Sequence, residues 1–131
     1  MKLTKSFTAI ILVAAVTLIS CKAKTPKELI VNKWKLTEIS GTGAATIPDS
    51  IKTKVISTAW IQFMKDGKFE ASDMGAGQIK GTYFISEDGK TLSTTDDGKT
   101  TPDVLELVEI VKDKMVVNDK KNDVKMTWAP K

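Results

Sequence analysis

The chain has no histidine, no arginine and a single cysteine, Cys21. Without histidine it lacks the side chain that most often acts as general base or metal ligand near neutral pH. One cysteine rules out an internal disulfide and any cysteine-built metal site. All 20 positive charges are lysines, set against 16 acidic side chains. That small excess is spread along the chain and forms no clustered basic footprint for a nucleic acid. Gly75-Ala76-Gly77 and Gly41-Thr42-Gly43 are not phosphate loops, because no Gly-Lys-Ser/Thr follows and no parallel βα unit surrounds them. No serine has a local lysine or carboxylate pattern that would make it a nucleophile. Glu106 and Glu109 stand three apart on an expected strand, so they face opposite ways unless a bulge intervenes. The acidic stretches Asp96-Asp97-Gly98 and Asp119 to Asp123 lack EF-hand spacing, and turns favour Asp and Asn anyway. The expectation is a non-enzymatic protein with no metal, no cofactor and no nucleic acid partner. A membrane-spanning helix is also excluded: the uncharged apolar run Phe7 to Ile19 has 13 residues, and a span needs about 20.

What is present begins with that run. It follows Lys2 and Lys5 and leads into Leu18-Ile19-Ser20-Cys21. A basic start, an apolar middle and a small-residue end are the zones of a signal peptide. The aliphatic-x-small-Cys sequence resembles the lipobox of bacterial lipoproteins. The resemblance implies palmitate-type acyl chains on Cys21, as diacylglycerol on the thiol and usually a further chain on the new amine, with cleavage before Cys21. One chain binds a membrane only marginally, whereas two or three hold a protein there durably. The expected organisation is a signal peptide over residues 1–20, a lipidated tether over 21–25 and one domain over 26–131. Lys22-Ala23-Lys24 lacks the acidic residues that resemble surface-export signals, so the expected place is the outer membrane, facing the periplasm.

Thr25-Pro26-Lys27-Glu28 reads as a helix start, with Thr25 as cap, Pro26 in the first turn and Glu28 completing a capping box. Beyond it the pattern is strands and tight turns. Strands are expected at Trp34–Ile39, Trp60–Met64, Phe69–Asp73, Gln78–Ser86, Lys90–Thr95, Asp103–Val111, Lys114–Asn118 and Asp123–Trp128. The Lys65-Asp66-Gly67 loop pairs Phe63 with Phe69. Asp88-Gly89 pairs Ile85 with Leu92 and Tyr83 with Thr94. Lys112-Asp113 pairs Ile110 with Met115 and Val108 with Val117. Between the first two strands, Pro48-Asp49-Ser50 starts a helix with Ile51, Val55 and Ala59 at helical spacing. Short turns join antiparallel neighbours, and eight such strands hide their edges by closing. The expected fold is therefore all-β: an eight-stranded antiparallel up-and-down barrel, with a short N-terminal helix and a helical lid.

Several of these stretches resemble one family: Asn32-Lys33-Trp34-Lys35-Leu36, Phe63-x-x-Asp66-Gly67-x-Phe69, Gly81-Thr82-Tyr83 and Asp88-Gly89-Lys90-Thr91-Leu92. They resemble the small lipocalin-like lipoproteins of Bacteroidota-type bacteria, across most of the mature chain. In that fold the first-strand tryptophan packs across the closed end of the barrel, which implies the same for Trp34. The family pattern has Gly-x-Trp where this chain has Asn32-Lys33-Trp34, so Asn32 must tolerate the backbone angle there. The sequence also resembles, less fully, the META domain of bacterial heat-shock lipoproteins. That domain opens with a Trp-x-Leu strand too, but it carries a Gly-Cys-Asn motif absent here.

The candidate site is the barrel interior. Hairpin parity turns Trp34, Leu36, Ile61, Phe63, Phe69, Tyr83, Ile85, Leu92, Ile110, Met115 and Met126 inward as ligand-lining candidates. Ile79, Val108, Val117 and Trp128 join them, while Leu105 and Leu107 fall on the opposite face of their strand. Ile51 and Val55 are the candidate lid. Two functions follow. One is a lipid-anchored barrel that binds a small hydrophobic ligand. The other is a filled barrel whose loops contact an envelope protein partner, as an inhibitor or complex subunit.

Overall fold

The computed structural model describes residues 23–73 and 77–131. The expected signal peptide and the lipidation site Cys21 lie outside them. The elements are α1 (Pro26–Leu29), β1 (Lys33–Ser40), a 3-10 turn at Gly43–Thr46, α2 (Asp49–Thr58), β2 (Trp60–Phe63), β3 (Lys68–Asp73), β4 (Gly77–Ile85), β5 (Thr91–Asp96), β6 (Asp103–Val111), β7 (Lys114–Asp119) and β8 (Val124–Pro130). The eight strands follow one another round a closed barrel, and β8 pairs antiparallel with β1 to complete it.

Turn chemistry sets the register. Gly67 sits at φ +84°, a conformation that favours glycine, and closes the β2–β3 hairpin. Phe63 then pairs with Phe69, their ring centroids 6.3 Å apart. Ile85 pairs with Leu92, Tyr83 with Thr94 and Ile110 with Met115, as the turn residues imply.

Two bulges change what faces in. In β1 the register against β8 shifts between Leu36 and Glu38. One extra residue reverses the alternation. Trp34 and Leu36 share a face with Pro130 and Trp128; beyond the bulge it is Ile39, not Glu38, that pairs with an inward residue, Met126. In β6 the shift falls between Leu107 and Glu109. Val117 therefore pairs with Leu107 rather than with Val108, and Val108 is 48% exposed on the outside. The expected inward position of Val108 and the outward one of Leu105 and Leu107 are both corrected by this single extra residue. Leu107 is buried in the core cluster and Leu105 packs against it.

One end of the barrel is sealed. The Thr25–Glu28 capping box forms, with the Glu28 N–H donating to Thr25 Oγ1 at 3.4 Å and the Thr25 N–H to Glu28 Oε2 at 3.2 Å. It starts a single helical turn that lays Ile30 into the core. The Trp34 indole N–H donates to the Ile30 carbonyl at 3.0 Å, and both residues are wholly buried. Asn32 has no positive φ, so the barrel needs no glycine there; its carbonyl accepts from the Phe63 N–H at 3.0 Å.

At the other end the 3-10 turn is latched onto the β7–β8 turn. The Gly43 N–H donates to the Asp123 carbonyl at 3.0 Å, and the Thr42 hydroxyl donates to the Asp123 carboxylate. These bonds hold the Asp123 carboxyl below its ordinary pKa, the Thr42 hydroxyl being the larger cause and the Thr42 N–H the next. A Cβ on Gly43 would stand 1.8 Å from the Asn122 carbonyl oxygen, so this closeness depends on glycine.

Candidate functional site

All eleven ligand-lining candidates face the barrel axis. Trp34, Leu36, Phe63, Phe69, Ile85, Leu92 and Met115 are buried, while Ile61, Tyr83, Ile110 and Met126 are half-buried and pack on the core. Ile30, Leu105 and Leu107 join them; parity reasoning places the two leucines outside because alternation carried unbroken through β6 ignores the bulge between Leu107 and Glu109.

Packing is uneven along the axis, with half-buried inward residues such as Ile110 and Trp128 also near the sealed end. Around the sealed end, Ile30, Trp34, Phe63, Phe69, Ile85 and Met115 form a solid cluster. Toward the far end the inward positions Ile39, Ala71, Ile79, Leu105 and Met126 are only half-buried. There a cleft of about 640 Å³ opens between the β5–β6 loop and the β7–β8 turn. Its walls include Thr94, Asp103, Leu105, Asp119 and Asn122. Of the inward apolar residues only Leu105 lines this cleft, whose other walls are mostly polar or, like the exposed Val104, on the outer face.

Tyr83 is committed to structure. Its hydroxyl donates to the Met64 carbonyl at 2.7 Å, and its ring meets Phe63 edge-on with centroids 4.8 Å apart. Burial pushes the phenol pKa up, with the Asp66 carboxylate a lesser cause. The Trp128 indole N–H is buried and has no acceptor among the described residues.

The lid expectation is corrected in part. α2 forms where Pro48-Asp49-Ser50 implies, but Ile51 is 49% exposed and does not turn into the barrel. Val55 is half-buried. α2 lies against β1, of which only Lys33 to Lys35 pair with β2. The helix thus flanks the part of β1 that β2 leaves unpaired.

The β6 bulge also changes Glu106 and Glu109, which now share the outer face instead of opposing each other. They do not form a carboxylate pair, since Glu106 meets Lys120 at 3.2 Å and Glu109 meets Lys114 at 3.0 Å. The Lys120 ammonium, then the Asn118 amide, hold the Glu106 carboxyl below its ordinary pKa. A general acid needs the opposite shift. Among the described residues no group of three or more His, Cys, Asp or Glu side chains is placed to hold a metal ion. Among them, too, no helix is long and apolar enough to cross a membrane.

A closed eight-stranded antiparallel barrel with one sealed end is a lipocalin-like fold, and comparison with solved structures agrees. A lipocalin-like protein from Bacteroides uniformis matches with a TM-score of 0.57 at 13% identity, over 79% of this chain and 99% of that one. A DUF4847 family protein from Bacteroides vulgatus matches with a TM-score of 0.55 at 16% identity, over 77% and 93%. An uncharacterized protein from Bacteroides eggerthii matches with a TM-score of 0.58 at 14% identity, over 77% and 98%. At these identities the likeness is one of fold. No family model matches the chain, and no curated protein matches it.

Proposed function

We propose that this chain is a non-enzymatic envelope lipoprotein, held by acyl chains on Cys21 at the periplasmic face of the outer membrane, whose barrel binds a small hydrophobic ligand in its upper half. The half-buried apolar positions toward the far end carry the reading. Apolar side chains that face inward yet stay half-buried, above a solid floor and beside a cleft, are what a ligand mouth requires.

Two measurements test this. Native mass spectrometry of the purified protein should find a co-purified small molecule, and a polarity-sensitive apolar dye should bind in competition with it. Met126→Lys, which places a charge in the upper half, should weaken dye binding at least about tenfold, or about 1.4 kcal/mol. If nothing co-purifies and the dye binds neither protein, the interior is a filled core. The protein then works through its surface, as an interaction or inhibitor module. The anchor is tested separately: intact mass should show acylation at Cys21, and Cys21→Ala should leave the detergent phase.

A further inference from the structure

The sealed end carries an apolar patch that the binding function leaves unused. Phe84 is 62% exposed at the penultimate position of β4, and Val31, just after α1, is 38% exposed. Together with Lys27, Glu28, Lys65 and Gly67 they line a groove of about 360 Å³ between α1, the β2–β3 turn and the end of β4. The Lys27 ammonium stands 6.0 Å from the centre of the Phe84 ring. An aromatic ring and an aliphatic side chain flanked by lysines suit a bilayer interface, where rings enter the headgroup layer and ammonium groups meet phosphates.

The chain's connectivity says which surface is near. Five residue steps separate Cys21 from Pro26, at most about 18 Å when fully extended. Lys27 follows directly. Whatever holds Cys21 therefore holds the groove within reach of the same surface, and the ligand mouth opens at the opposite end of the barrel. We infer that the sealed end docks on the anchoring phospholipid membrane, with Phe84 and Val31 entering the interface and Lys27 and Lys65 on lipid phosphates, so that the mouth points away from the bilayer. This rests on the lipid anchor proposed above.

Once Cys21 is acylated no other thiol remains in the chain, so a cysteine introduced elsewhere takes a nitroxide label uniquely. The full-length protein carrying Phe84→Cys is labelled and reconstituted in phosphatidylcholine–phosphatidylglycerol vesicles. Thr101→Cys, exposed in the β5–β6 loop at the mouth end, is the control. The label at 84 should gain severalfold in accessibility to oxygen over a water-soluble relaxant when vesicles are present, while the label at 101 stays aqueous. Two aqueous labels, or immersion at 101 instead, would overturn the inference; the patch would then await a protein partner. Intact mass read on the same sample keeps the two readings apart. If acyl chains are absent, the anchor reading fails, and flotation of the unacylated protein with these vesicles, in a Cys21→Ser background that keeps the label at 84 unique and with that label immersed, decides the docking surface alone. Failure to float overturns it.

Discussion

Removing the Trp34 ring should show what the sealed end contributes. The side chain is wholly buried and belongs to the central cluster. Its N–H satisfies the carbonyl of Ile30, which is itself wholly buried. Trp34→Ala removes the ring and leaves a cavity, a change that costs about 3–5 kcal/mol in well-packed cores. Trp34→Phe keeps most of the apolar volume but deletes the donor, leaving a buried carbonyl unmatched at about 1–3 kcal/mol. Against a total of about 5–15 kcal/mol for a domain of ordinary stability, the alanine variant should be seriously weakened and the phenylalanine variant should fold. Urea unfolding followed by far-ultraviolet circular dichroism gives both values, with an unchanged m-value as the check on two-state behaviour. A loss under about 1 kcal/mol for Trp34→Ala would fall below the range for buried large-to-small changes and refute the sealed-end packing. Equal losses for the two variants would mean that the hydrogen bond, not the ring, dominates.

Three further outcomes follow from the structure. Leu107→Ser should cost several kcal/mol, while Val108→Ser should stay within about 0.5 kcal/mol; the reverse order in denaturant melts would place the β6 bulge elsewhere. Tyr83 is the only tyrosine, so phenolate absorbance reads it alone. Its folded pKa is raised by burial above 10.0, so its contribution to stability is complete below the unfolded value and lost as pH rises through the folded one; titration at or below the ordinary value would contradict the burial. Asp123 has the opposite sign: its contribution is present above the unfolded pKa and disappears as pH falls through the lowered folded value. Asp123→Asn should therefore flatten the acid limb of the stability curve, and an unchanged limb would show that the Thr42 latch does not form.

Much of this barrel is legible in the residues because tight turns leave little freedom. A glycine such as Gly67, with the pair Phe63 and Phe69 around it, specifies turn and register together, and every side-chain parity in that hairpin follows. The cap of α1 is equally explicit, since Thr25 and Glu28 satisfy the same backbone donors in the structure that their spacing implies. The interior of the site was less so. Helical spacing places Ile51, Val55 and Ala59 on one face but does not say which surface that face meets, and the helix lies along β1 with Ile51 largely in solvent. Tyr83 reads equally well as a ligand handle or a core residue, and only the Met64 carbonyl within reach of its hydroxyl decides for the latter.

The two bulges mark where strand reasoning fails, and they share a pattern that sequence can show. Strict alternation requires inward residues at even spacing. In β1 the inward apolar residues are Trp34, Leu36 and Ile39, and in β6 they are Leu105, Leu107 and Ile110. Each series runs i, i+2, i+5, so the parity changes once, across the bulge. Keeping period 2 throughout would have sent Glu38 and Glu109 into the core. Burying a lone carboxylate costs far more than inserting one unpaired residue in a ladder. The bulge is thus the lower-energy way to keep Ile39 and Ile110 inside. Glu109 emerges beside Lys114, whose ammonium it meets on the outer surface. An odd step in an apolar series, with a charged residue at the position that strict alternation would bury, is therefore a physical signal for a bulge. It explains why β6 shows leucines on one parity and Val108 and Ile110 on the other: the strand is not apolar on both faces but keeps one inward face, interrupted by a single extra residue.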